Sequence, residues 1–263
     1  MSEIALVLPR DKQDTPGVLG VSRDYRLRWM DFDRNERIQP FAILDIFQDV
    51  ALYQSEDMGI GYEDMMAHRV FWAVIRQKIE IIRQPDHYQV ATARTWPHSL
   101  SRFSFMRDNS LRDEAGNLLA KGSAEYVLMN IDTRKFVKVT DILHEDYAFD
   151  DVRAFDGKLR KLPDFEADEG GVRTVVPSFC DVDKNGHVNN AMYARYAMDA
   201  LNPGADLALR TFQIDYRREV VEGVPLAVHT HWEGTRAQAK GVYEGGEIAF
   251  ACTLEFDEVD ARR

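Results

Sequence analysis

One stretch of this chain occurs twice. Asp31-Phe32-Asp33-Arg34-Asn35-Glu36-Arg37-Ile38-Gln39-Pro40 lines up without a gap against Asp181-Val182-Asp183-Lys184-Asn185-Gly186-His187-Val188-Asn189-Asn190, an offset of 150 residues from Asp31 to Asp181. Asp, Asp and Asn recur in register, Arg34 aligns with Lys184, and apolar positions align with apolar ones (Phe32 with Val182, Ile38 with Val188). A duplicated turn restricts the fold to two copies of one architecture. Each copy runs straight into a segment with helical apolar spacing. Phe41, Ile43, Leu44, Phe47, Val50 and Ala51 predict a helix from about Pro40, a favoured first-turn residue, to near Met58, where Gly59-Ile60-Gly61 ends it. Tyr193, Tyr196, Ala197, Ala200 and Leu201 predict the second. Asn189 or Asn190 can cap that helix, and Asn202-Pro203-Gly204 stops it.

Strand-like runs follow in both halves. Arg26 to Trp29 reads as a short strand end ahead of the first turn, and residues 1–20 as an irregular lead-in. Phe71 to Ile82 and Thr211 to Tyr216 are β-branched and aromatic. Each is followed by a turn (Gln84-Pro85-Asp86; Glu222-Gly223) and a strand predicted to end at Trp96 or Trp232. Hairpins are predicted around Asp113 to Asn117 and around Glu244-Gly245-Gly246. One long helix per antiparallel meander implies an α+β half in which the sheet curls around the helix. Residues 141–170 are acidic and aperiodic, a linker over the surface. The predicted domains are therefore 1–140, the linker 141–170, and 171–263.

Composition narrows the function. A chain of 263 residues that is 45% hydrophobic and 29% charged is an ordinary globular protein. A net charge of −11 disfavours nucleic acid and anionic membranes as partners. No run approaches the length of a membrane helix, and no signal peptide is evident at the start. Two cysteines, Cys180 and Cys252, are too few for a disulfide framework and fit a reducing, cytoplasmic compartment. The sequence leaves assembly open, a homodimer included.

The second turn carries the chemistry. In an extended segment Asp183, Asn185 and His187 would project to one side. His titrates near neutrality, Asn can orient water, and Glu219 can act as a general base. The helix N-terminus behind them favours developing negative charge. This set suits hydrolysis of an acyl group by activated water. The first copy strengthens the reading: Arg37 stands where His187 stands, and Gln84 aligns with Glu219 (as Arg83 does with Arg218). One copy keeps chemistry and the other keeps shape. Blander readings compete. Asp183 and Asn185 can simply form a turn, and Glu219 can be a solvated strand charge. Tyr193 and Tyr196 read as core, and nothing near Cys180 marks it as an activated nucleophile. Asp181-x-Asp183-x-Asn185-Gly186 opens like a calcium-binding EF-hand loop, but Met192 stands where the bidentate Glu is needed. No zinc spacing and no Gly-rich phosphate loop is present, so neither a metal nor a cofactor is expected.

Asp183-Lys184-Asn185-Gly186-His187-Val188-Asn189-Asn190 with Tyr193 resembles the signature of acyl-[acyl carrier protein] thioesterases, and Tyr216-Arg217-Arg218-Glu219 resembles that family's second motif. The resemblance spans roughly residues 22–258. It implies a tandem double hotdog that hydrolyses the thioester between a fatty acyl chain and the carrier's phosphopantetheine. Carried over, Glu219 activates water with His187 assisting, Asp183 orients its neighbours, and Asn185 holds substrate or water. Asn189 and Asn190 become substrate contacts. Ile43, Phe47 and Val50 of the first helix line an acyl tunnel in the N-terminal hotdog. Some members carry Cys after the motif Glu; here the residue is Val220, which favours activated water over an acyl-enzyme. The partner implied is acyl carrier protein, itself acidic, so docking needs a local basic face. Arg83, Arg102, Arg107, Arg217, Arg218, Arg236 and Lys240 are candidates. A thioesterase for acyl-CoA, or a non-catalytic acyl- or carrier-binding protein, remain as alternatives.

Overall fold

The computed structural model describes residues 20–141, 143, 149 and 152–260. Its elements in chain order are β1 (Val21–Arg26), α1 (Pro40–Asp57), α2 (Tyr62–Ala67), β2 (Val70–Ile81), β3 (Val90–Leu100), β4 (Ser104–Asp113), β5 (Leu118–Asn130), β6 (Phe136–Val137), β7 (Val172–Val175), α3 (Asn190–Leu201), β8 (Leu207–Tyr216), β9 (Leu226–Glu233), β10 (Arg236–Val242) and β11 (Ile248–Glu258). Contacts divide the chain into two compact units: Met1–Arg26, Ile46–Ile75 and Val90–Leu159 in one, and Leu27–Asp45, Arg76–Gln89 and Arg160–Arg263 in the other.

In the first unit the strand order is β1, β3, β4, β5, β2, with β6 on β5. The pairs β1–β3, β3–β4, β4–β5 and β5–β6 are antiparallel, as the predicted meander requires. The hairpin between β4 and β5 closes where predicted. Asp113 Oδ1 accepts from Asn117 N–H at 2.7 Å, and Gly116 takes the left-handed conformation, φ 82°. Gly59, at φ 68°, ends α1 in the same way, with Ile60 N–H reaching back to Ser55 O at 2.9 Å. Met58, Ile60, Met65, Val70, Phe105, Leu128, Val139 and Leu143 form one buried apolar cluster.

In the second unit, Arg76 to Glu80 of β2 pair with β8, and the order continues β11, β10, β9, β7. Helix α3 packs on β7, β9 and β10 and buries Ala191, Tyr193, Ala194, Tyr196, Ala197 and Leu201, four of them on the predicted face, while the predicted Ala200 is only half-buried. Asn202 stops it in the left-handed conformation, φ 43°.

Several elements differ from the sequence reading: β8 begins at Leu207 rather than Thr211, and the short helix α2 was not anticipated. The strand before the first turn is Val21–Arg26, and Trp29–Asp31 is instead a single 3-10 turn whose end is fixed by the Asp31 side chain on Arg28 N–H. Trp96 lies inside β3, because the strand continues past a register shift at Pro97 to Leu100. Residues 1–19 of the predicted lead-in lie outside the described residues.

The described part of 152–170 is bound along its length. Asp108, buried in β4, accepts from Ala154 N–H at 2.7 Å, and Trp96 Nε1–H donates to Val152 O at 3.0 Å. In the second unit, buried Asp215 accepts from Leu162 N–H at 2.7 Å, and Asp168 accepts from Trp232 N–H at 2.9 Å.

Candidate active site

The two copies of the turn share one backbone frame, with an added bond in the first, where Arg37 N–H also donates to Asp33 Oδ1 at 3.0 Å. Asp33 N–H donates to Arg37 O at 2.8 Å, and Asp183 N–H to His187 O at 3.0 Å. Asn35 N–H meets Asp33 Oδ1 at 2.8 Å, and Asn185 N–H meets Asp183 Oδ1 at 2.8 Å. Gln39 N–H and Asn189 N–H each reach back to the O of Asp31 and Asp181, both at 2.9 Å. Phe32 bridges Ile38 as Val182 bridges Val188. Gly186 sits at φ 81°, and its counterpart Glu36 accepts φ 58°. The repeat is therefore a tight turn closed by a short bridge. This corrects the extended geometry: the alternation of Asp183, Asn185 and His187 does not place them on one side of a strand, because 184–185 turn the chain.

Asp183 Oδ1 serves the turn, and Asn185 is exposed at its tip. Asp181 Oδ2 accepts from Ser178 N–H at 2.8 Å and from its hydroxyl at 3.1 Å. Among the described residues no cluster of His, Cys, Asp and Glu is arranged to hold a metal ion. Asn189 is the cap of α3: its Oδ1 accepts from Ala191 N–H at 2.9 Å. Asn190 opens the helix and its carbonyl accepts from Tyr216 OH at 3.1 Å. Asn189→Ala should lower stability by about 1 kcal/mol, read as a shift of the urea midpoint; an unchanged midpoint contradicts the cap.

His187 and Glu219 come together. His187 Nε2 lies 3.5 Å from Glu219 Oε1, with the side chains 26% and 46% exposed. They arrive from different places: His187 from the turn before α3, Glu219 from the irregular segment between β8 and β9. That segment is anchored on all sides. Val220 O accepts from Val188 N–H at 2.7 Å, Val220 N–H donates to Tyr193 OH at 3.0 Å, and Tyr243 OH donates to Glu219 O at 2.8 Å. Tyr193 is buried, and burial raises its phenol well above the usual value, so it stays protonated. Neither tyrosine stood out in sequence as more than core or hairpin, although Tyr193 belongs to the motif.

In the first copy both positions are tied into the scaffold. The Arg37 guanidinium is buried and donates to Leu207 O and to Ala205 O. Gln84 Oε1 accepts from Ile38 N–H at 3.0 Å, the N–H that matches Val188 N–H in the second copy. Ile43, Phe47 and Val50 fall on one stripe of α1 and are buried.

Two proposed docking cations are corrected. Arg107 is buried in β4, bonded to Gln54 Oε1 and Thr95 Oγ1, and burial lowers its pKa to about 10. Lys240 Nζ is occupied by Asp164 Oδ1 and Phe165 O, each at 2.6 Å. Arg218, Arg236, Arg102 and Arg83 are exposed, and Arg218 and Arg236 pair with Glu247 and Glu255. Arg217 is half-buried and donates to Leu162 O at 2.9 Å.

Cys180 is exposed, while Cys252 is buried and its thiol is pushed up by burial. A maleimide should label Cys180 alone in the native protein and Cys252 only after unfolding, by mass spectrometry; equal labelling rates contradict this placement.

Each half thus has one long helix with an antiparallel meander, and together they define an α+β tandem double hotdog with one titratable turn and one fixed by Arg37. Residues 19–147 match the acyl-ACP thioesterase N-terminal domain and residues 166–249 its C-terminal domain. The chain belongs to the acyl-ACP thioesterase family. It is 28% identical over 199 residues to oleoyl-acyl carrier protein thioesterase 2, chloroplastic, of Arabidopsis thaliana, covering 68% of this chain and 53% of that protein. The chain spans about half the length of the curated relatives it matches. An acyl-ACP thioesterase structure from Bacteroides thetaiotaomicron superposes with a TM-score of 0.81 at 20% identity, over 91% of this chain and 98% of that one. The 12:0-ACP thioesterase of Umbellularia californica superposes at 0.75 and 21% identity, over 92% and 98%. At these identities the superpositions speak for the fold.

Proposed function

We propose that this protein hydrolyses the thioester of a fatty acyl group carried on acyl carrier protein, releasing free fatty acid and the carrier thiol. The observation that carries the reading is the 3.5 Å approach of His187 Nε2 to Glu219 Oε1, in the one copy of the turn whose partner copy has Arg37 and Gln84 bound into the scaffold. Glu219 takes a proton from water as the oxygen bonds to the thioester carbonyl carbon. The tetrahedral intermediate then expels the thiolate, and the proton returns to sulfur through the Glu219–His187 pair. Asp183 shapes the turn, and Asn185 at its tip holds water or substrate. Asn189 and Asn190 at the start of α3 are the polar substrate contacts, beside N–H groups that favour the developing oxyanion. Ile43, Phe47 and Val50 are the residues given to the acyl chain, in an N-terminal hotdog taken as 1–140, with the linker 141–170 and the catalytic hotdog 171–263. Val220 stands after the motif Glu, so no covalent cysteine intermediate enters the route. The curated relatives are named for acyl-carrier substrates, which supports the same assignment. Among the described residues no helix is long and apolar enough to cross a membrane. The two thiols fit a cytoplasmic enzyme. The test is thiol release from acyl-loaded carrier protein, with the product identified as free fatty acid. Stoichiometric binding without release would make this a binding protein.

A further inference from the structure

We propose that Tyr193 and Tyr243 are positioning residues, whose hydroxyls hold the backbone around Glu219 so that its carboxylate stays beside His187. The inference rests on the thioesterase reading of that pair, and it begins from a gap in the secondary structure. Between Tyr216, the end of β8, and Leu226, the start of β9, the chain has neither helix nor strand. Glu219 sits in this gap, half-exposed. The peptides on either side of it are held by side chains from elsewhere in the unit. The Tyr193 hydroxyl accepts from Val220 N–H at 3.0 Å and donates to Arg218 O at 3.5 Å, so one oxygen spans the peptides on both sides of Glu219. The Tyr243 hydroxyl donates to Glu219 O at 2.8 Å from the far hairpin.

The first copy supplies an internal control. The residue 150 positions before Tyr193 is Ile43, and both are the fourth residue of their helix. Ile43 has no hydroxyl. In that copy the side chain of Gln84 turns inward and accepts from Ile38 N–H. In the second copy the matching Val188 N–H is taken by the backbone oxygen of Val220. The scaffold N–H is satisfied either way. The difference is that a side chain does it in the first copy, and a peptide held by Tyr193 does it in the second. That exchange leaves the Glu219 carboxylate facing His187.

Tyr193 is rigid enough for the task. Its ring meets those of Tyr216 at 5.2 Å and Phe250 at 5.4 Å, both edge-on. Tyr216 is itself held by Gln77 Oε1 at 2.7 Å. Burial keeps the Tyr193 phenol protonated, so its donor persists across the working pH range.

The experiment compares Tyr193→Phe, Tyr243→Phe, Glu219→Gln and each tyrosine variant combined with Glu219→Gln. Each Phe variant keeps its ring and loses one oxygen. On acyl-carrier substrate, Tyr193→Phe should lower kcat on the order of 10- to 100-fold with KM little changed, since small misplacements of a reacting group cost this much. Added to Glu219→Gln, it should cost nothing further, because the residue it positions is already gone. Wild-type turnover in both Phe variants, or losses that add in full to Glu219→Gln, overturns the proposal. Should Tyr193→Phe fail to fold, Tyr243→Phe carries the same comparison, since its hydroxyl lies nearer the surface. The NMR signal of the His187 imidazole at fixed pH reads the geometry without turnover. It should move in the Phe variants in the direction it moves in Glu219→Gln. If the wild-type protein hydrolyses no acyl thioester, the functional reading falls, and a moved His187 signal still supports the clamp while an unmoved one overturns it.

Discussion

Glu219→Gln should lower kcat on acyl-carrier substrate by roughly 10²- to 10⁴-fold, the range a positioned general base contributes. The amide keeps the shape of the side chain and cannot take a proton from water. His187→Ala should cost a comparable factor, by removing the partner 3.5 Å from that carboxylate. Both side chains are partly exposed, so neither substitution leaves a large cavity or a buried unpaired group. Thermal melts should therefore stay close to wild type while turnover collapses. The two losses should also overlap, because a base and its partner act as a unit. Near-wild-type kcat in either variant removes that residue from the mechanism.

The largest stability effect should come from Asp215→Ala. Asp215 is 2% exposed and receives Arg76 Nε on one oxygen at 2.6 Å and Leu162 N–H on the other at 2.7 Å. Arg76 stands directly opposite it in the pairing of β2 with β8. Removing the carboxylate takes a charged partner from a guanidinium that is only 13% exposed, and removes the acceptor of a linker N–H. Breaking a buried pair in this way costs about 3–5 kcal/mol. Calorimetry should show a Tm lower on the order of 10 °C. A loss below about 1 kcal/mol would mean the pair is screened like a surface salt bridge.

Which features the sequence disclosed follows from the range of the interactions. The repeat was legible because a tight turn is made by its own residues: Asp33 and Asp183 bond two positions along, and the motif residues carry that geometry with them. The two long helices, α1 and α3, were legible from spacing and from Pro40, Gly59 and Asn202, whereas the short α2 was not read. His187 and Glu219 were legible as motif residues and as the positions lost in the first copy. Their partners were not. Tyr193 acts on Val220, 27 residues away, through a backbone N–H that no sequence pattern marks. The hold of the acidic segment on Asp108 and Asp215 was hidden for the same reason, since backbone N–H groups are its donors. Charged residues in strands misled in a different way. Arg107 and Lys240 read as solvated, yet one points into its unit toward Gln54 and the other is covered by 164–165. The alternation of Asp183, Asn185 and His187 implied a strand only because the period of two was read without the glycine at 186 that lets the chain turn.

The most direct test of the central claim is kcat/KM for one acyl chain presented on carrier protein and on CoA. The acyl group and the His187–Glu219 chemistry are then constant, and only the thiol's bearer changes. The account predicts that the carrier-linked ester is preferred by about tenfold or more, with the preference falling as salt screens the docking charges. Equal or better use of the CoA ester would contradict it, keeping the site while removing the carrier as its partner.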